Sequence, residues 1–285
     1  MTAGVELHGG EHTRLVLRPA PVDTGIVFLR LDVSERDNRI PAHPANVSNT
    51  RNCTTLRNAA GVEVATVEHL LAAVASLGVD NLVVALTGRE IPAKDGSSLP
   101  FLDLLEQVGL QSQPAPRRYV RVLKTIRVEQ GDAFAEVTPA DGLELDVSIA
   151  FDDSAIGASR LRFCPDIRSF REDIARARTF ARMADVTALR RAGLSKGGSL
   201  SNAVVVERGR VLNPEGLRYA DEFVRHKILD LMGDLYLGGP MLARVRTHCG
   251  GHALNHALLS ALYADADAWR YENVAQGEAT PAMAR

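Results

Sequence analysis

The chain has 285 residues, with 35 acidic side chains against 33 basic ones and a hydrophobic content of 46%. That length can bury two cores, and the near-neutral charge lacks the basic excess that marks a nucleic-acid binder. No segment approaches the ~20 consecutive apolar residues of a membrane-spanning helix, so membrane insertion is not expected.

The opening stretch MTAGVELHGG lacks the basic and apolar regions of a signal peptide. Cys53, Cys164 and Cys249 are odd in number and far apart, which points to a reduced, cytoplasmic protein without a disulfide framework. Residues 14–32 read as two strands joined by a turn rich in Pro and Gly. The run 61–66 is a further short strand leading into a helix, with Leu70, Leu71, Val74 and Leu77 on one face, Thr66 as cap and Gly78 as stop. A buried strand at 81–88 and a helix at 96–110 follow, the latter with Ser98 as cap and Gly109 past its end. Pro114 and Pro116 in a polar run stop both kinds of element, which sets a first domain at 1–113 and a second at 117–270.

The second domain restarts with strands at 119–129, 133–140 and 143–151 and a helical segment at 169–181. Next come a short helix, a glycine-rich bend and a strand pair within 186–213, then two closing helices at 221–237 and 251–264. Residues 271–285 read as a polar, Ala-rich tail with nothing that demands order. Strands and helices without strict alternation imply an α+β fold in both halves. No self-similarity strong enough to establish a duplication is visible.

The segment FVRHKILDLMGD, residues 223–234, carries its charges in an unusual place. Val224, Ile228, Leu231 and Leu235 form a core stripe, while His226, Asp230 and Asp234 recur every four residues along another face. Such a face either meets water or supplies two metal ligands one turn apart, and an imidazole with a carboxylate suits zinc. A catalytic site needs a third protein ligand. Glu68 and His69, in the first turn of their helix, are candidates: one residue to bind metal, the other to work on water. The zinc-protease patterns are absent, because neither H-E-x-x-H nor H-x-x-E-H occurs and position 65 is Ala65. His252 follows Gly250 and Gly251 at a helix start and is placed to act as an acid. His256 reads as a surface or packing residue, and His8, His12 and His43 as exposed ones. LSKGGSLSN lacks the spacing of a nucleotide-binding P-loop.

The motifs TVEHLLAA, RARTF, VRHKILDLMGD and GGHALN, in this order, resemble those of the UDP-3-O-acyl-N-acetylglucosamine deacetylases, zinc amidases of the lipid A pathway in Gram-negative bacteria. VELHGGE, EIPAKDGSSLPF and LNPEGLRYADEFVRHK support the likeness, which covers nearly the whole chain. The resemblance implies two similar two-layer α/β sandwiches whose helix layers pack together around a cleft, in a monomer acting on a small molecule. It assigns zinc to His69, His226 and Asp230, a site that also accepts iron(II). Glu68 matches the general base, His252 the acid, Asp234 the carboxylate that orients it, and Thr179 and Lys227 the groups that stabilise developing charge. Gly198, Leu200 and Val205, with Phe180 and Leu7, match the wall of an apolar passage for the acyl chain. Cys249 stands where some relatives carry a lysine, and Arg246, His248 and Lys227 are the substitutes at hand for diphosphate contacts. Two other readings use the same residues: an amidase for a different acylated amino sugar, and a silent sugar-nucleotide binder, which would be expected to lack one of the site residues.

Overall fold

The computed structural model describes residues 1–274. In chain order the first half contains β1 (Thr2–Val5), β2 (His12–Pro19), β3 (Ile26–Arg30), β4 (Arg39–Pro41), β5 (Val47–Asn49), β6 (Thr55–Arg57), β7 (Glu63–Ala65), α1 (Glu68–Ser76), β8 (Leu82–Leu86) and α2 (Leu99–Val108). The second half contains β9 (Arg117–Val122), β10 (Ile126–Gln130), β11 (Ala133–Pro139), β12 (Leu143–Ala150), β13 (Ala158–Phe163) and the single turn α3 (Ile167–Ser169). It continues with β14 (Phe180–Arg182), α4 (Met183–Arg191), β15 (Val204–Glu207), β16 (Arg210–Val211), α5 (Glu222–Tyr236), β17 (Met241–His248), α6 (His252–Ala264) and β18 (Trp269–Val274).

One topology occurs twice. The first sheet has the order β1-β2-β8-β3-β4 and the second contains the matching run β10-β11-β17-β12-β13, each run antiparallel except for one central parallel pair, β3 with β8 and β12 with β17. The second sheet is extended by β9, parallel to the start of β17, and by β18, antiparallel to β9. A small three-stranded sheet, β5-β6-β7 or β14-β15-β16, precedes the helix in each half. The duplication invisible in the sequence is therefore plain in the strand order. Alternation sets which face is buried: Leu145, Val147 and Ile149 of β12 and Ala243, Val245 and Thr247 of β17 point inward, while Arg244 and Arg246 face out. Each fully buried Leu or Val side chain contributes about 1.5–3 kcal/mol of burial.

Helices α1 and α5 occupy equivalent places in the two repeats and cross each other closely. Gly233 makes this approach feasible, since a Cβ there would lie 2.7 Å from the carbonyl carbon of Glu68 and 2.9 Å from its Cα. The crossing sets the first turn of α1 against the polar face of α5.

The two strands of 14–32 are present as β2 and β3, joined by a turn as read, with β8 inserted between them in the sheet. Several expectations need correction. Thr66 does not cap α1; the capping position is Val67, and the Thr66 hydroxyl donates to Glu90 Oε1 at 2.7 Å. Thr66 has φ 58°, a left-handed backbone that a β-branched residue adopts only under constraint. Ser98 occupies the cap position of α2, but its hydroxyl bonds the carbonyl of His69 instead of capping. The helical segment of 169–181 shrinks to one α-turn and a wider turn at Phe170–Ile174, after which the chain is extended. The stretch after Trp269 is not all tail: β18 pairs antiparallel with β9 through Val274, and the remainder lies outside the described residues.

Candidate active site

The face of α5 that bears His226, Asp230 and Asp234 is buried, each residue 3% exposed or less, while Val224, Ile228, Leu231 and Leu235 fill the core as expected. His69 of α1 meets this face. Its Nε2 lies 3.6 Å from Asp230 Oδ1, His226 Nε2 lies 3.3 Å from the same oxygen, and the two imidazoles stand nearly perpendicular with centroids 5.0 Å apart. The ligand atoms of the three residues all lie within 4.8 Å of one another.

These residues fit a divalent cation. Donors bound to zinc at 2.0–2.1 Å in a tetrahedron stand ~3.4 Å apart, close to the two separations seen. Asp230 Oδ1 has no hydrogen-bond partner among the described residues although it is buried, and an orphaned buried acceptor costs about 1–3 kcal/mol. His226 Nδ1 donates to the carbonyl of Ala177 at 3.1 Å, which leaves the Nε2 lone pair toward the cluster. Burial pushes the His226 imidazole down to about 3, so it is neutral and able to ligate. Burial opposes the Asp230 charge, but with His226 neutral the Lys227 ammonium beside it still holds its carboxyl well below the usual range. Lys227 Nζ donates to Asp230 Oδ2 at 2.7 Å.

Beside the cluster lies an acid–base group. Burial raises the Glu68 carboxyl. Glu68 Oε2 accepts the Thr54 amide at 3.1 Å, and Oε1 lies 3.9 Å from His252 Nε2. His252 Nδ1 donates to Asp234 Oδ2 at 2.8 Å. Burial alone would lower the His252 pKa, yet Asp234 and Glu68 outweigh it and raise it to about 10; a cation at the cluster would work in the opposite sense. Two carboxyl–imidazole environments thus favour a basic Glu68 and a protonated His252.

A cavity of about 530 Å³ opens over these groups. Glu68, His69, Thr179, Lys227, Asp230 and His252 line its polar end. Leu7, Phe180, Gly198, Leu200 and Val205 line it too, extended by Phe151, Ile156, Met183, Val186 and Leu189. Phe180 packs edge-on against Phe223 at 4.9 Å and Phe151 at 5.8 Å. His226 and Asp234 lie behind this surface. Thr179 is held by its amide, which donates to the Gly96 carbonyl at 2.8 Å. His8 is not simply exposed: both ring nitrogens are buried and it lines the same cavity, whereas His12 and His43 face solvent. His256 is half-buried. All three cysteines are free. Of the three side chains expected to substitute for a lysine at position 249, Lys227 is tied to Asp230, Arg246 lies over Phe134, and His248 Nδ1 pairs with Ser148 Oγ at 3.0 Å.

Sequence reasoning passed over four contributors. Thr54 and Asn255 both donate to Asp234, at 2.6 and 2.8 Å. Asn255 was within reach, since it sits three residues after His252 on one helix; Thr54, in an ordinary strand-like run, carries no local signal. Arg178 and Glu222 form a buried ion pair, with Arg178 Nε and its amide both on Glu222 Oε1 at 2.8 and 3.0 Å. The pair pins the segment whose flanking residues are Ala177, which orients His226, and Thr179.

A duplicated α+β scaffold whose paired helices bring two imidazoles and an aspartate together, with a buried glutamate alongside and an apolar cavity in front, defines a metal-dependent hydrolase. The sequence profile of the UDP-3-O-acyl N-acetylglycosamine deacetylase family matches residues 1–264. The UDP-3-O-acyl-N-acetylglucosamine deacetylase of Phenylobacterium zucineum is 49% identical over 275 residues, 96% of this chain and 94% of its own. The proteins of the same name from Idiomarina loihiensis and Shewanella halifaxensis are 45% and 48% identical, covering 99% and 94% of this chain and 93% and 88% of their own lengths. The chain belongs to the UDP-3-O-acyl N-acetylglycosamine deacetylase family.

Proposed function

We propose that this protein hydrolyses the acetamide of UDP-3-O-acyl-N-acetylglucosamine to the free amine and acetate, the committed step of lipid A biosynthesis, as a cytoplasmic monomer with a small-molecule substrate and no nucleic-acid partner. The observation that carries the reading is the convergence of His69, His226 and Asp230, with one unpartnered carboxylate oxygen, beside Glu68 and His252 in an apolar-walled cavity. The two halves, 1–113 and 117–270, each contribute to that site.

His69 Nε2, His226 Nε2 and Asp230 Oδ1 would hold the ion, which we assign as zinc, with iron(II) accepted by the same donors. When bound, zinc supplies Lewis acidity, polarising the acetyl carbonyl and bringing the pKa of a water toward ~7. Glu68 Oε1 takes one proton from the attacking water, while its Oε2 stays fixed on the Thr54 amide. His252, held protonated at Nδ1 by Asp234, gives the Nε2 proton to the departing amine nitrogen, and the C–N bond breaks to leave acetic acid. The acid ionises to acetate as its remaining proton passes to solvent, while the proton on Glu68 returns to His252 or to water. Lys227 and Thr179 stand at the cavity wall as donors for the charge that develops on the carbonyl oxygen. The acyl chain lies along Leu7, Phe180, Gly198, Leu200 and Val205.

Purified protein dialysed against a chelator should release no acetate from this substrate, and zinc should restore release. Full turnover by the metal-free protein would reject the reading, and faster acetate release from another acylated amino sugar would reassign the substrate.

A further inference from the structure

We propose that Thr54 is a positioning residue that fixes the acid–base pair by tying Glu68, in its own half of the chain, to Asp234 in the other; this rests on the amide-hydrolysis reading above. Thr54 is 2% exposed and follows the loop into β6. Its hydroxyl donates to Asp234 Oδ1 at 2.6 Å and its amide donates to Glu68 Oε2 at 3.1 Å. The amide of Val67, just before Glu68, returns to the Thr54 carbonyl at 3.4 Å. The contacts close a circuit: Glu68 faces His252 across 3.9 Å, His252 donates to Asp234, Asp234 accepts from Thr54, and the Thr54 backbone leads back to Glu68.

Two features show why a hydroxyl belongs at this point. Asp234 Oδ2 already accepts from His252 Nδ1 and Asn255 Nδ2, so Thr54 supplies the partner for Oδ1. Without it a buried carboxylate oxygen is orphaned, and the carboxylate gains by rotating away from His252 toward any other donor. The Thr54 oxygen also lies 3.3 Å from His252 Nδ1. Because its own proton is committed to Asp234, the hydroxyl cannot donate to Nδ1, so that nitrogen carries the proton and gives it to the nearer acceptor, Asp234 Oδ2 at 2.8 Å. Thr54 touches neither reacting atoms nor the three ligands of the cluster, so its effect is on the orientation of the proton donor and base.

The test compares Thr54→Val, which removes the hydroxyl at nearly constant shape, with Thr54→Ser, which keeps it. Zinc-replete Thr54→Val should lose about 10- to 100-fold in kcat, with KM within about threefold and zinc content unchanged, and Thr54→Ser should return to within about threefold of the original kcat. A kcat for Thr54→Val within about threefold of the unaltered protein, or a serine variant as slow as the valine one, overturns the proposal. A crystal structure of Thr54→Val decides independently of turnover: a displaced Asp234–His252 pair supports the assignment, and an unmoved one overturns it. If valine lowers the melting temperature or the zinc content, Thr54→Ala is judged by the same criteria. Absence of acetate release by the unaltered protein defeats the deacetylase reading, and the crystallographic comparison still decides the positioning claim.

Discussion

Gly233→Ala offers the sharpest examination of how the cluster is assembled. The added Cβ would collide first with the Glu68 carbonyl oxygen and would stand 2.7 and 2.9 Å from the carbonyl carbon and Cα behind it, where ordinary contact begins near 3.4 Å. Backbone cannot swing aside as a side-chain tip does, so α1 and α5 must separate by about 1 Å or more. Overpacking of this kind costs about 1–3 kcal/mol of stability. The larger consequence concerns metal, because His69 rides on α1 while His226 and Asp230 ride on α5, and functional geometry tolerates only ~0.5 Å of displacement. We expect zinc affinity to fall at least about tenfold, equivalent to ~1.4 kcal/mol. Competition against a chromophoric chelator measures the affinity, and urea unfolding of the metal-free protein measures the packing cost. A Gly233→Ala protein with unchanged zinc affinity and unchanged stability would refute the argument that this crossing sets the cluster.

Glu68→Gln should keep its full complement of zinc, measured by elemental analysis, while kcat falls by about 10²–10⁴; loss of the metal instead would make Glu68 a ligand and not the base. Glu222→Gln withdraws the charge that neutralises Arg178, which is 2% exposed, and should cost about 3 kcal/mol in urea unfolding, the lower end of the buried-pair range because Glu215 still reaches Arg178 at 2.6 Å. A loss under about 1 kcal/mol would show the pair to be dispensable. For the metal-free protein, the raised pKa of His252, about 10 when folded against ~6.5 unfolded, fixes the sign of a pH effect. Its stabilisation is complete below pH ~6.5 and is lost as the pH rises toward 10. Denaturant unfolding across this range should show the decline, and His252→Gln should flatten it; equal slopes in the two proteins would contradict the assignment.

What could be read without coordinates was local. The core stripe of α5 and the four-residue recurrence of His226, Asp230 and Asp234 belong to one helix, and periodicity exposes them directly. The glycines that stop α1 and α2 are equally local. Strand order was hidden because β8 enters between β2 and β3 from more than fifty residues away, and no short-range pattern encodes such a partner. Thr66 looked like a cap because threonine before a helix normally is one; Glu90, on a distant segment, captures its hydroxyl and holds the backbone left-handed. Arg178 gave no hint of burial because its compensating charges, Glu215 and Glu222, lie some forty positions further along. Convergence of His69 with α5 was reachable only through the family motifs, since helix contacts between halves leave no imprint on spacing.

The strand β18 has a consequence for handling the protein. It covers the open side of β9 along Arg117–Val122, reinforced by Arg121 gripping Glu272 at 2.6 and 2.8 Å and by Arg118 lying over the Tyr271 ring. A version cut at residue 270 would bare the amides and carbonyls of β9 beside Val120 and Val122, a ready template for a neighbouring molecule. Light scattering on such a shortened chain should register more self-association than on the intact one, whatever its catalytic centre does.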